Sequence, residues 1–400
     1  IMKILMLTPY LPYPLLSGGQ IRTYNLLKKL AKKHEITLFA LIKDENEKAY
    51  IGELEKYCHQ VRVFKRSRTP FTLRNILKTA FSSYPFLVIR NQSLTVTGAI
   101  KEELAKSDYD LIHAETFYMM SHLPELKIPS ILVEQTIEYL GYENYAKKAP
   151  ALLRPILNID IDKIRSWEKH YWQKADQLIV MSSEDKKFIA EELGREDKIA
   201  VVANGVNNKW FDQIKRQKTQ VPTILSVGTF KWLPNREAVE FLVEKIWPLV
   251  KQKIKKVRLK IVGNAPSQKV LNYGISDPEI NVLGQIEDIR YAFKSADLLL
   301  APVFSGKGTR YKILEAMACS TPVVASKIAV EGLDVENGKH VLTSNDAQEL
   351  AELTIKVLTD QKLWKKLSDN GKQFVEDHYD WQMISQKLDT IYQKVGKIKK

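Results

Sequence analysis

The chain is poor in cysteine: 400 residues contain only Cys58 and Cys319. Two cysteines so placed supply neither a metal-site spacing nor a disulfide framework, and they point to a reducing cytosol. No segment approaches the roughly 20 consecutive apolar residues that span a bilayer. Met2 runs straight into an apolar strand, so no signal peptide is expected. Nucleic-acid-binding motifs are absent, and with them the expectation of a nucleic-acid partner. No internal repeat is visible. Acidic residues are in short supply, 47 against 61 Lys and Arg, which leaves a net charge of +14. That excess suits phosphorylated ligands and an anionic membrane surface. The apolar fraction of 44% and charged fraction of 27% are ordinary for a globular protein. The length calls for two domains of about 150 to 200 residues each.

The stretch Asp297 to Ser326 is the most informative. Leu298 to Val303 is a short apolar run, as in a strand buried on both faces. Ser305 to Thr309 contains two glycines and no large apolar residue, and reads as a loop. Tyr311 to Cys319 is rich in helix formers, with Leu314, Met317 and Ala318 on one face. Pro322 stops that helix, and Val323 to Ala325 begin another buried strand. This is a strand–loop–helix–strand unit of a parallel, doubly wound α/β sheet, in which ligands sit beyond the carboxyl ends of the strands. A helix N-terminus there favours an anion. Gly306 and Gly308 permit close approach, while Lys307, Arg310 and Lys312 add charge where a diphosphate would lie. Glu315 falls one turn into the helix, where a carboxylate suits the two hydroxyls of a ribose. The same charges also suit a solvated cluster on a surface helix.

The segment resembles the nucleotide-binding signature of the family 4 retaining glycosyltransferases, which have the GT-B fold. Their pattern is a glutamate, seven residues, a second glutamate, then A-M-A-x-G-x-P-V-V. Glu315 matches the second glutamate, and the first falls at Lys307. A subgroup tied to polysaccharide assembly has G-x-G-T-R-x-K-I-L-E-A-M-A, and this sequence resembles it. The resemblance implies that Glu315 holds a ribose, and that a glutamate contact to the donor sugar ring is missing.

Earlier in the chain, Lys3 to Leu7 reads as a strand, Thr8 to Gly19 as a loop, and Gln20 to Lys33 as an amphipathic helix. Its apolar stripe is Ile21, Tyr24, Leu27, Leu30 and Ala31. Gly18-Gly19 alone read as a turn, and placed after the first strand of an α/β domain as a second anion site. In the resembled family this loop faces the donor phosphates and the acceptor. Lys65 to Arg90 mixes Lys65, Arg66, Arg68, Arg74, Lys78 and Arg90 with Phe71, Leu73, Ile76, Leu77, Phe81, Tyr84 and Phe86. It suits membrane-surface contact or a core-packing helix with a solvated basic face. Tyr109 to Ala114 and Ile128 to Glu134 read as strands. The subgroup's His-Asn-x-Glu stretch is Gln135, Thr136, Ile137, Glu138 here. His113 is therefore the substitute candidate beside the sugar, with Glu115 and Glu138 as further polar candidates. Asp160 to Lys174 reads as a charged helix, and Ser182-Ser183-Glu184 as a helix cap. Asn204-Gly205 sits in a stretch that resembles the family's V-x-N-G-V.

In the second half, Pro222 to Val227 is a strand and Ala238 to Val250 a helix. Gly228 to Asn235 between them resembles the subgroup's G-[ST]-x-x-W-x-P-N. The family's diphosphate-binding arginine falls at Thr229, leaving Lys231 and Arg236 on this side with Arg310 and Lys312 opposite. The resemblance implies that the base is read near Gly284 to Asp288. A helix from Asp380 to Val395 is expected to cross back to the first domain.

The expectation is thus a GT-B glycosyltransferase of two Rossmann-like domains facing a central cleft. Its parts are an acceptor-side domain over 1–208, a linker over 209–220, a nucleotide-sugar domain over 221–379, and a crossover helix with basic tail over 380–400. The reaction implied moves a sugar from a nucleotide diphosphate donor, UDP favoured over GDP, to a glycan or lipid-linked acceptor. It proceeds with retention, with no metal and no cofactor. His113, Lys231 and Arg310 are the catalytic candidates. The donor site is Gly18, Gly19, Gly228, Lys231, Gly306, Lys307, Gly308, Thr309, Arg310, Lys312 and Glu315. The location expected is cytoplasmic, with peripheral membrane contact through 65–90. The alternatives are a nucleotide-sugar 2-epimerase and a non-catalytic scaffold of a polysaccharide assembly.

Overall fold

A computed structural model describes residues 1–400 apart from Arg68, Pro70, Leu126, Lys218, 307–310 and 398–400. The chain divides into two compact units, one of residues 1–203 with 384–400, the other of residues 204–383. Each is built on a parallel sheet.

In the first unit the strands are β1 (Lys3–Thr8), β2 (Glu35–Ile42), β3 (Gln60–Lys65), β4 (Leu111–Glu115), β5 (Ser130–Glu134), β6 (Gln177–Val180) and β7 (Ile199–Val201). Their spatial order is β3-β2-β1-β4-β5-β6-β7. β1 is central, with Met6 level with Leu38 on one side and His113 on the other. Its sequence K-I-L-M-L-T is apolar without alternation because helices cover both faces, and every residue after Lys3 is buried. In the second unit β8 (Thr223–Val227), β9 (Arg258–Val262), β10 (Ile280–Gly284), β11 (Leu298–Ala301), β12 (Val323–Ala325) and β13 (Leu342–Thr343) lie in the order β10-β9-β8-β11-β12-β13.

Several elements differ from the sequence reading, each for a local reason. The first helix starts at Gly18 and ends at Leu30, capped by Ser17, whose hydroxyl accepts from the Gln20 amide. Its buried face includes Arg22, Thr23 and Leu26, whereas Ile21 is half-buried. The helix foreseen from Asp160 begins at Arg154, with Pro155 in its first turn, where the missing N–H costs nothing. The helix placed at Ala238 to Val250 runs instead from Leu233 to Lys253 with a π-turn at Leu242–Ile246. Pro248 explains that turn: its ring cannot sit over the carbonyl four residues back, so the preceding turn widens.

The sequence V-A-N-G-V is explained by packing. The Val206 amide donates to the Tyr379 carbonyl at 2.7 Å, and the Trp381 amide donates to Val206 at 3.2 Å. A Cβ on Gly205 would lie 2.8 Å from the Trp381 ring, so only glycine fits. The last helix, Trp381–Gly396, begins in the second unit and continues in the first. There Asp389 reaches His34 at 2.8 Å, and Tyr392 reaches His113 at 2.6 Å.

The stretch around Leu73–Ala80 does not pack into the core, as one of its two readings required. No residue of that helix is buried, and Phe71 and Phe81 are 78% and 86% exposed.

Candidate functional site

The strand orders fix where each unit offers a site. From β8 the chain crosses to β9 on one side, and from β11 to β12 on the other, while β8 and β11 are neighbours. The loops after β8 and β11 therefore separate at a topological switch point, where open α/β sheets bind ligands. In the loop after β8, Gly228 is held to the Val262 carbonyl at 3.0 Å. A Cβ there would strike the Asn235 side chain at 2.7 Å, and one on Gly263 would lie 1.6 Å from the Gly228 carbonyl oxygen. Two backbones are thus in direct apposition at the edge.

The β11 side is tied to that loop. Lys312 donates to Asn235 Oδ1 at 2.9 Å, Ser305 to Glu237 at 2.9 Å, and Asn235 to the Thr229 carbonyl at 3.0 Å. Gly306 takes a φ of 89°, which a side chain would strain. Glu315, on the helix Tyr311–Ala318, is half-buried. Burial pushes its carboxyl up to about 7, against the pull of Lys312. Lys231 and Trp232 are exposed on the facing loop.

The first unit has the same switch between β1 and β4. Its edge is occupied by a connected set of side chains. Tyr392 Oη lies 2.6 Å from His113 Nδ1, and His113 Nε2 lies 3.1 Å from Glu115 Oε1. Gln135 donates to Glu115 Oε2 at 2.7 Å and to Tyr10 Oη at 2.6 Å, and Tyr10 meets Thr23 at 3.0 Å. Burial alone would push the Glu115 carboxyl up, but His113, Arg22 and Gln135 together hold it below its usual range. A Cβ on Gly19 would stand 2.7 Å from Tyr10 Oη and 2.8 Å from Gln135 Oε1, so the helix N-terminus closes directly against this set.

Two family models match successive stretches that together cover most of this chain. Residues 16–210 match the Glycosyltransferase Family 4 model, and residues 221–360 the model of glycosyl transferases group 1. The chain is a family 4-like glycosyltransferase. Among curated relatives, an uncharacterized 44.6 kDa protein in the cps region of Klebsiella pneumoniae is 21% identical over 391 residues, covering 94% of this chain and 96% of the relative. A phosphatidyl-myo-inositol mannosyltransferase of Mycobacterium leprae is 24% identical over 350 residues, covering 84% of this chain and 88% of the relative. Among solved structures, sucrose-phosphate synthase of Thermosynechococcus elongatus superposes with a TM-score of 0.73 at 19% identity, over 98% of this chain and 99% of that one. Anabaena HepE, solved with UDP and glucose, gives a TM-score of 0.65 at 19% identity, over 98% and 100%. These likenesses show the GT-B fold.

In this glycosyltransferase Gly228, Lys231, Gly306, Lys312 and Glu315 share one sheet edge of the second unit, and Gly18 and Gly19 open a helix on the edge of the first. Lys307, Gly308, Thr309 and Arg310 lie outside the described residues. His113 is not placed to touch a ligand: its side chain is 1% exposed and both ring nitrogens are engaged. It sits within β4, covered by the last helix, and holds Glu115. Sequence reasoning passed over Tyr10 and named Asn235 only as the last residue of a motif. Gln135 was noticed only as a replaced histidine. A polar residue directly after a buried strand was the available signal; its partners, Glu115 at 20 positions and Tyr10 at 125 positions away in the chain, were not.

Proposed function

We propose that this glycosyltransferase moves a sugar from a UDP-sugar to a glycan or lipid-linked acceptor, with retention of configuration and without a divalent ion. The observation that carries the reading is the junction in the second unit, where Lys312 bonds Asn235 across the switch point beside half-buried Glu315. The Anabaena neighbour solved with UDP and glucose supports the choice of base. The mycobacterial relative's name supports a lipid-linked acceptor.

In this reading Glu315 accepts hydrogen bonds from the ribose hydroxyls. The diphosphate lies against the amides around Gly306 and against Lys231, Lys312 and Arg310. As the glycosidic bond breaks, negative charge grows on the departing phosphate. Cations and N–H donors already in place stabilise it without reorganising, which is the main lever available to such a site. Gly18 and Gly19 would bring the acceptor side close to the backbone of the helix N-terminus beside Gln135. The His113–Glu115 pair would keep Gln135 in position. Peripheral membrane contact fits the exposed Phe71, Leu73, Ile76 and Phe81 with Arg74 and Lys78 among them, on the face of a cytoplasmic enzyme that meets the bilayer.

The test is calorimetric titration with UDP and GDP, with and without chelator, followed by NMR of the product's anomeric proton. UDP binding unchanged by chelator and an α-product from an α-linked donor are expected. No binding of either nucleotide, or an inverted product, would overturn the reading.

A further inference from the structure

Three cations gather at the carboxyl end of the first sheet, away from the switch point. Lys43 follows β2 and Arg66 follows β3. The Arg66 amide donates to the Ile42 carbonyl at 2.9 Å, which sets the two residues side by side. Arg66 also donates through its guanidinium to Asn91 Oδ1, next to Arg90 in the helix Phe86–Asn91. Among the described residues none of the three forms an ion pair, although nearby Lys65 pairs with Glu45 at 2.9 Å and Arg62 approaches Glu103 at 3.8 Å. The Nε atoms of Arg66 and Arg90 are buried and have no hydrogen-bond partner.

Leaving two guanidinium donors buried and unmatched is costly unless a ligand completes them. The acids within reach are already committed. Glu47 accepts from the Lys43 and Asp44 amides at 2.7 and 2.9 Å. Burial pushes the Glu138 carboxyl up, against the smaller downward pull of Arg90, which it faces. Partial shielding and then the charge of Arg66, with Arg90, hold the Lys43 ammonium below its usual range, a sign of crowded like charges. Thr116, directly after β4 at the carboxyl end of the same sheet, has a φ of 71°, a conformation that a β-branched residue adopts only under constraint. Strain and orphaned donors both occur along the carboxyl end of the one sheet.

The neighbourhood also indicates what carries the anion. Lys78 donates to Gln92 at 2.6 Å, which ties the helix Leu73–Ala80 to the segment holding Asn91 and Arg90. That helix exposes Leu73, Ile76 and Leu77, and Phe71 before it stacks on Phe86 at 5.0 Å. The cation cluster therefore adjoins an uncovered apolar ridge.

We infer that Lys43, Arg66 and Arg90 form a phosphate-binding site for the headgroup of a lipid-linked acceptor, whose hydrocarbon lies along the ridge from Phe71 to Leu77. The assignment rests on the glycosyltransferase reading and adds to it the chemistry of the acceptor. A bidentate guanidinium matches phosphate oxygens, and two of them with an ammonium balance a diphosphate at neutral pH.

The test uses the full chain saturated with UDP, titrated by calorimetry with geranyl diphosphate and, separately, inorganic diphosphate. Geranyl diphosphate should bind more tightly of the two. The double variant Arg66→Gln/Arg90→Gln should weaken both by tenfold or more, and the exposed Lys43→Gln, which leaves the fold alone, by about threefold. Leu77→Ser should weaken geranyl diphosphate alone. Equal affinity for the two probes would overturn the lipid assignment and leave free phosphate as the ligand. Unchanged affinity in both cation variants would overturn the site. UDP is titrated alone into every variant: its binding is expected unchanged, and failure of UDP to bind the wild type would count against the donor reading while the diphosphate titrations still judge the cations.

Discussion

The two units share a topology and treat its one special place differently. Both have a parallel sheet whose strand order reverses beside the first strand, and both set a glycine against the edge there. In the first unit the edge is filled by the protein's own polar groups, Tyr10, Thr23, His113, Glu115, Gln135 and Tyr392, each satisfied by the next. In the second, Lys312 and Asn235 bridge the loops while Lys231 and Trp232 stay exposed. The fold supplies the location, and the side chains decide whether it is a closed framework or a surface that a ligand completes. A filled edge resists repacking; an open one leaves binding energy to be gained.

Variants can break that contrast. The largest effect is expected for Gly263→Ala, since its Cβ would fall 1.6 Å from the Gly228 carbonyl. Backbone cannot yield as a side chain can, so about 3 kcal/mol or more of stability should be lost, read by chemical denaturation. Glu315→Ala should leave the fold intact and weaken UDP by about 2 kcal/mol, through the loss of charge-assisted hydrogen bonds. An unchanged dissociation constant would show the ribose lies elsewhere. The same carboxyl, raised to about 7 by burial, accepts well only when ionised. UDP affinity should therefore fall as pH drops from 8 to 6, and Glu315→Gln should flatten the profile.

The filled edge responds differently. Tyr392→Phe removes one buried hydroxyl from the chain of hydrogen bonds and should cost about 1 kcal/mol in thermal unfolding, with UDP binding untouched. Behind the edge, Glu168 accepts from the Glu138 and Tyr139 amides, and burial pushes its carboxyl up to about 8, with Glu134 also raised by burial. Folded values above the unfolded ones mean that stability is fullest at low pH and is lost as pH rises through about 8. The melting temperature should fall between pH 6 and 9, less steeply in Glu134→Gln. The smallest effect on stability, under about 0.5 kcal/mol, is expected for Phe81→Ser at an exposed position, and vesicle sedimentation should register it more strongly.

How much of this was legible follows from the range of each interaction. Buried strands such as Leu298–Ala301 announce themselves by continuous apolar runs, and Gly228, Gly306 and Glu315 by fixed offsets from those strands. Resemblance to a known family, carried by the same local stretches, supplied the fold. The hydrogen-bonded set at Glu115 was not legible, because Tyr10, Gln135 and Tyr392 come from three distant segments and nothing local marks them as partners. His113 misled for the same reason. A histidine inside a strand looks alike in sequence whether it faces a ligand or a helix that arrives 279 positions later. Trp381 and Gly205 teach the opposite case, a motif visible in sequence whose cause is packing rather than chemistry.

The last helix has a consequence for the order of events during synthesis. Residues 1–203 leave the ribosome first, yet the unit they belong to also needs residues 384–400. The second unit, made later, is covalently whole before the first. Translation therefore exposes an early-born half with His113 uncovered, waiting for a segment made after the second unit, and the nascent chain should pass through a stage in which the younger domain is the more protected from proteases.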